Sequence, residues 1–220
     1  MLEKLLTLHA ITDLNDPLLP EWLELYEASF PPNERLPVSY LQELVAAGSP
    51  GDELLAATLP DPTAAHGRAQ FVGLVYYEFL KSVTPAPGQP VCSVPGFLWY
   101  MAVKPQLRSQ GLGAAIYRLA FQHCQQKGCC AWLIEVEKPE LAQTPEEKDF
   151  ASRRIRFYQR QGARLLRGIS YIAQLGEHQP DTPMHVMIHS QAPLTPQAAF
   201  AYAQYISGGV LIQSGKLRLE

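Results

Sequence analysis

Apolar positions in this chain recur at two spacings, and each change of spacing marks a boundary between elements. In EWLELYEASF, residues 21–30, they fall at helical intervals behind Pro20, and Pro31-Pro32 must end that helix. LLTLHAI, 5–11, reads as a first strand, and Val38 to Ala47 as a second helix closed by Gly48 and Pro50. Strand signals follow at 53–59 and 70–80, separated by the turn-rich PDPTAAHGR; the loop TPAPGQP, 84–90, leads into FLWYMAV, 97–103.

Helical spacing returns over 111–127, where Leu112, Ile116, Leu119 and Phe121 are among the apolar positions and Gly128 is a natural terminator. AWLIEVE, 131–137, is the next strand. A strand, a helix and a strand of these lengths imply parallel pairing and a right-handed crossover. Thr144 then offers an N-cap, Pro145 the first helical position and Glu146 and Glu147 an acidic first turn, for a helix running to about Gly162. Strands near 163–169 and 184–189 come next, then a helix after Thr195 and a last apolar stretch, GGVLIQSG. The expected fold is α/β: one domain over 1–191 with a mixed, twisted sheet of six to seven strands and helices on both faces, and a helical extension over 192–220.

Composition narrows the function. With 47% hydrophobic and 18% charged residues in 220, the chain can bury a sizeable core. A net charge of −3 leaves no electrostatic footprint for a polyanion, so no nucleic-acid partner is expected. The N-terminus carries charge inside its apolar run, and no segment approaches the ~20 apolar residues of a membrane span, so no membrane partner is expected and the cytoplasm is the default. Cys92, Cys124, Cys129 and Cys130 show no CxxC spacing and read as free thiols in a reducing compartment, the adjacent pair pointing to opposite strand faces. His185 and His189 in HVMIH sit in a strand-like run without companions for a metal shell, so no metal is expected.

The candidate chemistry begins at VKPQLRSQGLG, 103–113. A glycine-bearing turn that enters a helix presents backbone N–H groups without intrahelical partners, at the positive end of the helix dipole, and so suits an anion. Gly111 and Gly113 let the backbone approach closely, and Arg108 adds a multiply donating cation. The plain alternative is a loop whose glycines relieve crowding. A dinucleotide turn competes, with Glu135 and Glu137 as ribose-binding acids, but position 116 is isoleucine rather than the third glycine, and seven residues part the strand from Gly111. A Walker A loop is excluded because no Gly-Lys-Ser/Thr follows.

LWYMAVKPQLRSQGLGAAIYRLAFQHC resembles the central motif of the GNAT superfamily of acyl-CoA N-acyltransferases, in which an apolar strand and Val-x-Pro precede Arg-x-x-Gly-x-Gly at a helix start. Arg108, Gly111 and Gly113 match its defining positions, and Tyr158 and Gly162 in RIRFYQRQGA match the second motif, although Ala163 stands where phenylalanine is usual. The resemblance spans roughly residues 5 to 190 and is specific around 97 to 166. It implies that the domain over 1–191 is an acyl-CoA N-acyltransferase with a V-shaped splay in its sheet. It further implies acetyl-CoA as co-substrate, its pyrophosphate on Arg108, Ser109, Gln110, Gly111, Leu112, Gly113 and Ala114 and its thioester carbonyl on the strand backbone of Met101, Ala102 and Val103.

The implied reaction is acetyl transfer to a primary amine, small molecule or peptide, by direct attack. Near neutral pH an amine titrating at about 10.4 must lose a proton, and a thiolate titrating at about 8.5 benefits from gaining one. Tyr158 resembles the family's acid; the alternative is a Phe157-Tyr158 aromatic pair in the core, and because adjacent helical residues face about 100° apart, Phe157 can be core while Tyr158 reaches the cleft. The strand glutamate that many relatives carry is replaced by Trp99 and Tyr100. Glu135 and Glu137 are the substitute bases, since LIEVE places both on one strand face, where carboxylates are costly unless they meet a wet cleft. They read equally well as strand-end carboxylates bonded to the arginines of 153–167.

Glu34 and Arg35 in SFPPNERLP, with Glu78, are candidates for the acceptor pocket, against a surface ion pair as the plain reading. Arg153, Arg156 and Arg160 form one helical stripe, either a solvated face or a contact for CoA phosphates or Glu135 and Glu137. A non-catalytic acyl-CoA sensor or scaffold remains open, as does a nicotinamide oxidoreductase. The tail FAYAQYISGGVLIQ packs on its own domain or on a second copy, which leaves a homodimer open.

Overall fold

The computed structural model describes residues 5–60, 69–80, 94–173, 181–206 and 209–220, apart from the side chain of Asn33. The loops expected within 61–68 and 84–90 lie outside these residues, as does Cys92. The strands are β1 (Thr7–Ala10), β2 (Asp52–Pro60), β3 (Ala69–Phe79), β4 (Val94–Val103), β5 (Cys129–Glu137), β6 (Arg164–Ala173), β7 (Thr182–Ser190) and β8 (Gly209–Leu219). The helices are α1 (Leu19–Ser29), α2 (Val38–Ala47), α3 (Leu112–Gln126), α4 (Pro145–Arg160) and α5 (Pro196–Ala203). Strand order is β1-β2-β3-β4-β5-β7-β6-β8. The chain forms two compact units, Met1–Glu78 with Leu98–His123, and Phe79–Phe97 with Cys124–Glu220.

In the first unit β1, β2 and β3 form an antiparallel meander, with Thr7 opposite Thr58 and Asp52 opposite Glu78. Helix α1 buries Leu19, Trp22, Leu25 and Tyr26, the i, i+3, i+6 and i+7 positions of one stripe, and its Trp22 indole donates to Leu55 O at 3.1 Å. Helix α2 ends at Gly48 in the left-handed conformation, φ 54°, whose N–H returns to Leu44 and Val45 carbonyls. Gly73 on β3 is required by space: a Cβ there would stand 2.6 Å from Ala102 O on β4 and 2.8 Å from Ile116 Cδ1 on α3. Since a strand carbonyl cannot swing aside as a side-chain tip can, Gly73→Val should destabilise the fold by about 1–3 kcal/mol, with a smaller loss for Gly73→Ala. Denaturant unfolding checks this, and wild-type stability in the valine variant would refute it.

In the second unit β7 lies between β5 and β6, antiparallel to both, with Glu135 opposite Val186 and Tyr171 opposite Met184. Helix α4 starts as its sequence signals: Thr144 accepts from the Glu147 N–H, the Glu147 side chain accepts in return from the Thr144 N–H, and Pro145 opens the first turn. Thr195 caps α5 in the same manner, accepting from Ala198 N at 3.2 Å.

Two expectations need correction. The tail over 192–220 is not helical throughout: after α5 it forms β8, which pairs antiparallel with β6 and supplies the eighth strand. The pairing satisfies the backbone groups that a lone edge on β6 would leave open. Cys124 and Cys129 are free and buried, but Cys130 is disulfide-bonded, so the thiol argument for a reducing compartment falls away. As the strand pleat requires, Cys129 turns inward while Cys130 faces the other side. Among the described residues no helix is long and apolar enough to cross a membrane.

Candidate functional site

In the first unit β4 delivers the chain into the glycine turn. Ala102 is buried and Met101 and Val103 are half-buried on the strand. Lys104 anchors the strand end, donating its N–H to Val72 O at 2.9 Å, pairing with Glu21 at 2.6 Å and standing over the Phe71 ring. Pro105–Leu107 makes a 3-10 turn, after which Arg108 folds back so that its Nε donates to Val103 O at 3.1 Å while the residue stays exposed. Ser109 and Gly111 both take left-handed backbone conformations, with φ 62° and 81°.

That conformation costs a serine on the order of 1 kcal/mol, so its presence in an exposed turn is an outlier of the kind that gathers at binding sites. Alternating left-handed residues aim successive N–H groups into one concavity. Helix α3 makes its first bond from Ala115 N to Gly111 O, and the N–H groups before it have no partner within the helix. A Cβ at Gly111 would meet nothing within 4 Å, so this glycine serves its φ and does not relieve crowding. Ser109 and Gln110 are exposed, Gly113 and Ala114 half-buried, and Leu112 buried as the first core contact of α3. Ile116, at the position where a dinucleotide turn would carry glycine, is fully buried.

The loop after α1 is held by two tyrosine hydroxyls that no sequence signal singled out. Tyr26 donates to Leu36 O at 3.0 Å; Tyr100 donates to Glu34 O at 3.0 Å and accepts from Leu36 N at the same distance. Arg35 pairs with Glu27, donating to its carbonyl at 3.1 Å and its carboxylate at 3.4 Å, which is the plain ion-pair arrangement. Glu78 accepts from the Trp99 indole at 2.9 Å, so a carboxylate from β3 stands beside the middle of β4.

In the second unit the two strand acids part company. Glu137 takes an ion pair with Arg154 of α4 at 2.7 Å, as the arginine alternative anticipated. Glu135 accepts from the Tyr171 hydroxyl of β6. Burial pushes the Glu135 carboxyl up to about 7, against the opposing pull of that hydrogen bond and of the Arg154 charge. Burial, followed by the adjacent carboxylate, raises the Tyr171 phenol far above its ordinary range, so it keeps its proton.

Tyr158 is the buried member of its aromatic pair, 5% exposed, with its ring edge-on to a half-buried Phe157 at 5.1 Å. This inverts the expected division between them. Arg153, Arg156 and Arg160 are exposed, and the first two pair with Asp149, as a solvated face would.

A family model described as the acetyltransferase (GNAT) family matches residues 19–163. No curated protein matches the sequence. Among solved structures, a GNAT-family protein from Bacteroides thetaiotaomicron gives a TM-score of 0.62 at 21% identity, covering 90% of this chain and 95% of that one. NAA60 of Arabidopsis thaliana, solved in complex with acetyl-CoA, gives 0.60 at 13% identity, covering 84% and 98%. Spermidine/spermine N-acetyltransferase SpeG from Vibrio cholerae gives 0.54 at 13% identity, covering 87% and 95%. At such identities the likeness is one of fold.

Proposed function

We propose a reaction for a chain that belongs to the GNAT family of acetyltransferases: transfer of acetyl from acetyl-CoA to a primary amine by direct attack. The observation that carries the proposal is the strained, open turn at the start of α3, where Ser109 and Gly111 are left-handed and Arg108 stands beside unpartnered N–H groups. A pyrophosphate fits this turn, which supplies donors, a cation and space where a Cβ would meet no atom. Residues 108–114 would hold it, and the backbone of Met101, Ala102 and Val103 would take the thioester carbonyl.

Acetyl-CoA, when bound, supplies the activated acetyl group. Glu135 takes a proton from the amine through water, since a carboxyl titrating at about 7 is half ionised at neutral pH and binds the proton it removes. Glu137 is already held in an ion pair with Arg154. Tyr158 gives its proton to the departing sulfur. Relatives of this fold include an N-acetyltransferase named for spermidine and spermine, which agrees with an amine acceptor, small molecule or peptide. Glu34 and Arg35 form a wall of the acceptor pocket and Glu78 favours a cationic amine, in a protein that acts alone or as a homodimer.

Calorimetric titration with acetyl-CoA tests the turn. Wild-type protein should bind, and Arg108→Ala should bind about tenfold or more weakly, the loss expected for a charged hydrogen-bond donor. Equal affinity in the two proteins, or none in the wild type, would sink the proposal. Thiol release with a panel of amines then separates a transferase from a non-catalytic acyl-CoA binder.

A further inference from the structure

Beyond the region matched by the family model lie two residues that meet over Glu135. Tyr171 on β6 is 1% exposed and donates its hydroxyl to Glu135 Oε1. Gly209 opens β8, opposite Ala173 in the β6–β8 register. Its φ is not among the positive values in the chain, so the backbone does not demand glycine there. Space does: a Cβ at Gly209 would come within 2.6 Å of Tyr171 Cζ. The phenol therefore rests against bare backbone of β8 on one side and reaches Glu135 with its hydroxyl.

We infer that Tyr171 is a positioning residue for Glu135 and that strand β8, through Gly209, holds it in place; the inference rests on Glu135 being the base of the acetyl transfer. The phenol occupies Oε1 and leaves Oε2 as the oxygen that receives the proton. It also stabilises the ionised carboxylate against its burial, because a hydrogen bond to the charged form favours that form. The other groups around Glu135 do not replace it. Arg154 of α4 pairs directly with Glu137, two residues along on the same face, and reaches Glu135 only through its charge, a smaller influence than the phenol's hydrogen bond. On that face β7 presents Met184, Val186 and Ile188, none of them titratable. Without the phenol, Glu135 should hold its proton at neutral pH.

The test is a carbon-13 titration of the glutamate carboxyls in the free protein, set beside the pH profile of kcat/KM. In Tyr171→Phe both the Glu135 midpoint and the acidic limb should rise by about 1 pH unit or more. Gly209→Ala, whose Cβ would crowd the Tyr171 ring and hydroxyl and so displace the phenol without removing it, should move both in the same direction, and the double variant should add little, because both substitutions remove one contact. Tyr171→Phe retains the ring, so it decides the matter even if Gly209→Ala fails to fold. An unchanged Glu135 midpoint in Tyr171→Phe overturns the inference. A raised midpoint together with full turnover in Glu135→Gln keeps the Tyr171 contact and removes the base assignment, so the two readings fail separately.

Discussion

Glu135→Gln should lower kcat by about 10²- to 10⁴-fold while leaving acetyl-CoA affinity near wild type, the loss typical of removing a general base. Glutamine keeps the shape and can still accept from Tyr171, so the change isolates the proton. Glu137→Gln is the control, expected to cost far less because that carboxylate is already committed to Arg154. Wild-type kcat/KM should rise with pH through about 7, where Glu135 ionises, and the limb should vanish in the glutamine variant.

Stability should move the other way. The folded carboxyl titrates above its ordinary value of 4.5, so between that value and about 7 the native state holds a proton that the unfolded chain has lost, and stability falls as pH rises through this window. Glu135→Gln should therefore melt higher than wild type at pH 8, with the difference closing below about 4.5. Full turnover in Glu135→Gln with low turnover in Glu137→Gln would exchange the two assignments.

What could be read from the sequence was mainly what is local. The α4 start was visible because Thr144, Pro145 and Glu147 make their contacts within one turn. The same holds for Arg108, Gly111 and the start of α3, where the chain alone sets the geometry. Strand β8 was hidden: its apolar run is short, Ser214 and Gly215 interrupt it, and what makes it a strand is the β6 edge it pairs with.

The carboxylates show the same division. Alternation in LIEVE places Glu135 and Glu137 on one face, but only tertiary structure brings Arg154 to one and Tyr171 to the other. Tyr171 sits in an ordinary strand, GISYIA, and nothing in its neighbours marks it as a partner of a residue 36 positions earlier. Ser109 gave no sign of its positive φ, because serine has no preference for that region.

Tyr158→Phe should lower kcat by about 10²-fold or more and leave acetyl-CoA affinity unchanged. The position of the ring makes this informative. A tyrosine 5% exposed and packed against Phe157 could be there for its ring alone, and phenylalanine preserves that packing. If the hydroxyl matters only to the fold, the variant should lose melting temperature and keep its turnover. If the hydroxyl protonates the leaving sulfur, turnover should fall with little change in melting. A second donor sharpens the choice, because an acetyl thioester of a thiol well below the usual pKa of about 8.5 leaves without help from an acid. With such a donor the gap between wild type and Tyr158→Phe should narrow, and an equal loss with both donors would remove Tyr158 from the proton's path.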